Sequence, residues 1–140
     1  MQNILIFIQN HWMLFLAFLF VFLLVVIVEF IRAKRGALQI TAHEAIRLMN
    51  HQNAVVVDVR SNDAFASGHI VNAVSIPLND LENKLKKLDK YKSQPIILVC
   101  ANGLESRTAS NLLEKHQIKT HILANGLRGW READMPLVKE

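Results

Sequence analysis

"PIILVCANGLESRTASNLL", residues 95–113, decides how this chain is read. Five apolar residues, Pro95 to Val99, run into Cys100, the single cysteine of the sequence. An apolar run of this kind reads as a strand covered on both faces, and the stretch from Leu104 onward repeats at helical spacing. The thiol thus stands at the lip of a buried strand, just before a helix begins. A free cysteine is among the most buried residue types, so simple packing is one reading of it. The other is that a thiolate is made and used here. Ala101, Asn102, Gly103, Leu104, Glu105 and Ser106 are small or flexible enough to curl around the sulfur with their N–H groups pointing inward. The positive end of the following helix would add to them, holding an anion without any charged side chain. Spacing alone leaves both readings open.

Outward from this stretch the same alternation continues. "ALQI" (37–40) is a short apolar segment, and Thr41-x-x-Glu44 opens the next helix with a capping box. "AVVVDV" (54–59) is a β-branched run, "SNDAFASG" (61–68) a turn or short helix, and "AVSIP" (73–77) a strand closed by Pro77. Asn79 to Glu82 repeats the N-cap pattern ahead of a lysine-rich helix. "KTHIL" (119–123) is a further strand and "GLRGWREA" (126–133) a final short helix. Strands alternating with helices over so short a span predict an α/β domain, a parallel sheet sandwiched by helices. Ligands of such sheets bind beyond the carboxyl ends of the strands, where Cys100 lies. The tetrapeptide Ala-Asn-Gly-Leu occurs at 101–104 and again at 124–127, each time between a strand and a helix. Asn and Gly tolerate left-handed backbone, so the repeat reads as shared turn chemistry, and the two turns could be neighbours at one sheet edge.

The first 28 residues carry no Asp, Glu, Lys or Arg, and every side chain from Trp12 to Val28 is apolar. Residues 12–31 would make a helix of roughly 30 Å, the hydrocarbon thickness of a bilayer. No basic residue precedes this core, Arg32-Ala33-Lys34-Arg35 follows it, and no small-residue cleavage pattern closes it. These features favour an uncleaved anchor over a signal peptide. Trp12 sits where an interfacial aromatic belongs, and the basic flank marks the cytoplasmic side. The expected organisation is a short tail at 1–11, a transmembrane helix at 12–31, a basic juxtamembrane linker at 32–37 and the α/β domain at 38–140. The expected topology is a single pass, N-terminus outside and the domain in the cytoplasm.

The anchor flank also accounts for much of the charge. Of 16 basic residues three lie in it, leaving thirteen basic against eleven acidic groups in residues 36–140. The balance does not point to nucleic acid as a partner. Lys84, Lys86, Lys87, Lys90 and Lys92 alternate with Leu81, Leu85 and Leu88, which reads as a solvated helix face, with contact to anionic lipid headgroups as the alternative. One cysteine excludes an internal disulfide framework and a cysteine-rich zinc site, and the six histidines show no metal-ligand spacing.

From about Leu38 to Val138 the chain resembles the rhodanese-like family of sulfurtransferases. "VVDVRSNDAFASGHIVNAVSIPL" resembles the family's Asp-x-Arg, Phe, Gly-His-Ile and Ile-Pro series. "CANGLES" resembles its cysteine loop, with Gly three and Ser six residues on, and "NGLRGW" its closing motif. The resemblance implies a central parallel five-stranded sheet flanked by helices, preceded here by the anchor. It also implies a transient persulfide on Cys100. That sulfur would come from a sulfane donor such as thiosulfate, rest on the amides of residues 101–106, and pass to cyanide, a thiol or a protein acceptor. No cofactor and no metal are implied. By the same resemblance Asp58 and Arg60 tie strand end to loop by charge-assisted hydrogen bonds, and His69 is a hydrogen-bonded fold residue. Trp130 packs as core beside the loop; Arg107 reads as a helix residue near the loop, with contact to substrate as the alternative.

Three departures mark this member. Glu105 stands where many active members carry a basic residue, and should repel thiosulfate. Ala64 replaces a frequent acidic residue, and Val71-Asn72 a common Pro-Gly. A second reading is therefore a catalytically weak or inactive binding module of the same fold, tethered at the membrane. A phosphatase would need Cys-x5-Arg, but Ser106 holds that position and Arg107 comes one residue too late.

Overall fold

In the computed structural model, residues 6–7, 10–35 and 37–140 are described. The chain divides into two compact units, Met1–Gly36 and Ala37–Glu140. The first contains helix α1 (Trp12–Arg35), whose 20-residue stretch Trp12–Ile31 is long and apolar enough to cross a membrane. Its side chains from Trp12 to Ile31 are exposed all around the helix, as an apolar span without a polar face should be.

The second unit is an α/β layer structure. Its elements run β1 (Leu38–Ile40), α2 (Ala42–Gln52), β2 (Val55–Asp58), α3 (Asn62–Ala66), β3 (Val74–Ser75), a 3-10 turn at Leu78–Asp80, α4 (Leu85–Asp89), β4 (Ile96–Val99), α5 (Leu104–Lys115), β5 (His121–Leu123) and α6 (Gly126–Glu132). The five strands form one sheet in the order β1-β5-β4-β2-β3, and every pairing is parallel. Because all strands point the same way, their carboxyl ends share one edge. Val99, the last residue of β4, lies opposite Asp58, the last of β2.

The period of two along β4 distributes its side chains between two cores. Ile96, Leu98 and Cys100 join Val57, Val59, Leu88, Ala109 and Leu113 on one face. Ile97 and Val99 join Ile40, Ala45, Val56, Leu127 and Trp130 on the other. All four residues of β4 are buried, which is why the run reads as continuously apolar. Truncating a leucine such as Leu98 to alanine here should cost about 2–5 kcal/mol.

Local signals place the helix starts. Thr41 caps α2 reciprocally: Glu44 N–H donates to its Oγ1 at 3.2 Å, and Thr41 N–H donates to Glu44 Oε2 at 2.8 Å. Asn53 ends the helix in left-handed backbone at φ 51°. The lysine-rich segment departs from expectation. Asn79 caps no long helix; tight i→i+3 turns run from Leu78 to Lys84, and α4 starts only at Leu85. The tighter winding keeps Leu81 and Leu88 both fully buried, while Lys84 Nζ pairs with Asp80 at 2.8 Å. The core has overridden the local cap.

Candidate active site

Cys100 follows β4 directly and is fully buried. Its Sγ accepts a hydrogen bond from the N–H of Gly103 at 2.9 Å. That return of chain onto sulfur within three residues requires Gly103 at φ 96°, a conformation that a residue bearing Cβ rarely adopts. Gly103 also stands at the N-cap of α5, so the sulfur lies beside the positive end of a 12-residue helix. The inward-facing amides expected of residues 101–106 are thus realised at Gly103. Leu104 uses its N–H differently, donating to Asn102 Oδ1 at 3.1 Å. This side-chain capture is a local Asx competition that sequence pattern does not reveal.

Around the loop, Ala101, Asn102, Leu104, Glu105 and Arg107 are exposed, whereas Gly103 and Ser106 are buried. Ser106, on the first turn of α5, has a fully buried Oγ with no hydrogen-bond partner. Buried hydroxyls are normally paired, so this one has a bond to give. Glu105, one residue earlier, presents its carboxylate to solvent at the same helix end.

The floor of the loop is the second Ala-Asn-Gly-Leu turn. Leu127 N–H donates to the Cys100 carbonyl at 2.8 Å, and Arg128 N–H to that of Ala101 at 3.2 Å. The two turns are indeed neighbours. Gly126, at φ 55°, lies so close that an added Cβ would collide with the Cys100 carbonyl oxygen and come 2.9 Å from the Ala101 carbonyl carbon. Gly126 is not among the candidate site residues read from the sequence; its signals there are the repeated tetrapeptide and its place in the closing NGLRGW motif.

Asp58, Arg60 and His69 form a separate cluster at the end of β2. The Arg60 guanidinium forks onto Asp58, with Nη2–Oδ2 at 2.7 Å and Nε–Oδ1 at 3.0 Å. Its Nη2 also donates to the Gly68 carbonyl at 2.7 Å. The loop tied to the strand end is therefore the Gly68 turn. His69, buried, donates from Nδ1 to the Phe65 carbonyl at 2.9 Å and stacks on the Phe65 ring at 3.8 Å. Among the described residues, no hydrogen bond joins these three side chains to the cysteine loop. Trp130 is core, its Nε1 donating to the Pro136 carbonyl at 3.0 Å. Among the described residues no cluster of His, Cys, Asp and Glu could hold a metal ion.

Comparison with known proteins agrees with this architecture. Residues 41–133 match the family model described as Rhodanese-like domain. YibN of Escherichia coli K12, described as an uncharacterized protein, is 32% identical over 141 aligned positions covering 99% of both chains. The thiosulfate sulfurtransferase GlpE of Coxiella burnetii is 31% identical over 94 positions, covering 66% of this chain and 86% of its own. Among solved structures, a rhodanese-related protein from Thermoplasma volcanium superposes with a TM-score of 0.67 at 26% identity, covering 74% of this chain and 99% of its own. Sheet order, cysteine loop and sequence match converge: the chain belongs to the rhodanese-like domain family.

Proposed function

We propose that this protein is a membrane-tethered sulfurtransferase that carries a sulfane sulfur as a persulfide on Cys100. The observation that carries the reading is the contact from Gly103 N–H to Cys100 Sγ at 2.9 Å, at the N-terminus of α5. A backbone donor aimed at sulfur beside a helix N-terminus places positive partial charge where the terminal sulfur of a persulfide would be held. The relationship to a thiosulfate sulfurtransferase, GlpE, supports the same class.

In the first half-reaction the Cys100 thiolate attacks the outer sulfur of thiosulfate. The S–S bond of the donor breaks, sulfite leaves with its electron pair, and Cys100–S–S⁻ remains. In the second, a nucleophile such as cyanide or a thiolate attacks the terminal sulfur and the Cys100 thiolate is restored. The terminal sulfur of the persulfide would extend beyond Sγ into the loop of residues 101–106, where the Gly103 amide and the unpartnered Ser106 hydroxyl would serve it, the Leu104 amide being held by Asn102. Asp58, Arg60 and His69 act by holding the end of β2 and the Gly68 turn in place. Helix α1 supports tethering as a single inner-membrane span, N-terminus outside and the domain in the cytoplasm.

The test is intact mass of the full chain after thiosulfate treatment. One added sulfur that cyanide removes is expected, and Cys100→Ser should take up none. Full transfer activity in the serine variant would overturn the mechanism, because the chain has no other thiol. Glu105 favours the second reading, a binding module, since its carboxylate opposes an anionic donor. Failure of every sulfane donor to load Cys100 would establish it.

A further inference from the structure

Beside the cysteine loop lies a cavity of about 90 Å³, walled by Gln39 from β1, Asn102, Gly103, Leu104 and Arg107 from the loop and α5, and Asn125 from the floor turn. We propose that this cavity is a carboxylate subsite, and that Arg107 reads a carboxylate on the carbon chain of an organic persulfide donor. The proposal rests on the sulfurtransferase reading and names the substrate class for it.

Three observations carry it. First, Arg107 is the one ionised side chain on the wall, and among the described residues no carboxylate lies within ion-pairing distance of it. Second, the guanidinium is held rather than loose. With the Gln39 amide oxygen facing it, Gln39 accepts from Nη2 at 2.7 Å and from Nε at 3.3 Å. A neutral amide fixes the fork without neutralising it, leaving the charge for a ligand. Third, Gly103 belongs to both places: its N–H meets Cys100 Sγ, and its backbone walls the cavity. Cys100 itself is not on the cavity wall, so the donor would have to pass over Gly103, its sulfane sulfur at Cys100 and its carboxylate against Arg107. The volume suits a carboxylate on a short chain, not a second large group.

The charge arrangement then separates two kinds of donor. Thiosulfate carries its charge on the reacting group itself, close to Glu105. A persulfide R–S–SH that reacts in its protonated form carries no charge on the outer sulfur, and the carboxylate in R lies on the Arg107 side. In the transfer step the Cys100 thiolate attacks the outer sulfur, the R–S–SH sulfur–sulfur bond breaks, and R–S⁻ leaves with the electron pair. Cys100–S–SH forms, and no external oxidant or reductant is consumed.

The experiment compares two donors matched in length, the persulfides of 3-mercaptopropionate and 3-mercapto-1-propanol, on the full chain. The readout is the rate at which Cys100 gains one sulfur by intact mass. Wild type should prefer the carboxylate donor, chiefly through a lower KM. Arg107→Gln should reduce the ratio of the two kcat/KM values by about tenfold, the worth of one charged hydrogen-bonded contact. Arg107→Lys, which keeps the charge without the fork, should retain part of the preference. An unchanged ratio in Arg107→Gln overturns the proposal, and so does an equal fall for both donors, which would mark a structural role. If neither donor loads wild-type Cys100 while thiosulfate does, this proposal falls and the sulfurtransferase reading stands; if thiosulfate fails as well, that reading falls with it.

Discussion

The peptide N–H of Leu127 donates to the carbonyl oxygen of Cys100 across 2.8 Å, locking the two Ala-Asn-Gly-Leu turns together. The cysteine loop thus rests on the start of α6, and Gly126 is the residue that lets them meet. Gly126→Ala should be poorly tolerated on two counts: φ is positive, and the new Cβ meets backbone that cannot swing away. We expect a loss of about 2 kcal/mol or more in urea denaturation. Sulfur loading of Cys100 should fall even below the denaturation midpoint. Near-normal stability would mean the loop can lift off its floor.

Glu105 provides an electrostatic test. Its carboxylate is exposed at the helix end that serves the sulfur. Glu105→Gln should raise kcat/KM for thiosulfate by roughly tenfold at low salt, and Glu105→Arg should raise it further. Both gains should shrink as ionic strength rises. Unchanged thiosulfate turnover in both variants at low salt would remove Glu105 from donor selection.

The pair Asp58–Arg60 is buried, with side-chain exposures of 1% and 10%. Removing one partner leaves a buried charge uncompensated, so Arg60→Ala should cost about 3–5 kcal/mol. Arg60→Lys cannot reproduce the fork onto Asp58 together with the bond to the Gly68 carbonyl, and should recover only part of that loss. Denaturant midpoints of the three proteins decide it. Equal stability of Arg60→Ala and wild type would deny the tie between strand end and turn.

Glu44 gives a pH signature. Its hydrogen bonds from Thr41 backbone and side chain hold its pKa below the ordinary carboxylate value. The folded state thus favours the ionised form, and the stabilisation is present above the unfolded pKa and fades as pH falls through the lowered one. Glu44→Ala should lower Tm at neutral pH, and the difference from wild type should vanish in acid. A difference independent of pH would trace the effect to helix propensity instead.

The proposed topology predicts that protease added to intact cells leaves residues 36–140 uncut, and that opening the membrane exposes them. Digestion in intact cells would put the domain on the other side.

Much of the sheet is legible in the sequence because β4 is buried on both faces, so its apolar run is unbroken and its thiol falls at a strand end. The neighbouring turns were legible through repetition of four residues. Other features arise only when distant pieces meet. Gln39 and Arg107 are 68 positions apart in the sequence, and they come together because β1 pairs with β5 at the sheet edge. Asn102 spends its side chain on Leu104 N–H, a choice of local geometry that residue type permits but does not dictate. At Asn79 the sequence promised a helix cap, and burial of Leu81 imposed a tighter turn instead.

The sheet also ends at each side in very short strands, three residues in β1 and two in β3. An extended segment from another molecule therefore finds only one or two rungs of free backbone on which to zip. Short borders of this kind are a recognised guard against runaway strand addition. Crowded together, copies of this domain have little with which to stitch themselves into a continuous ribbon.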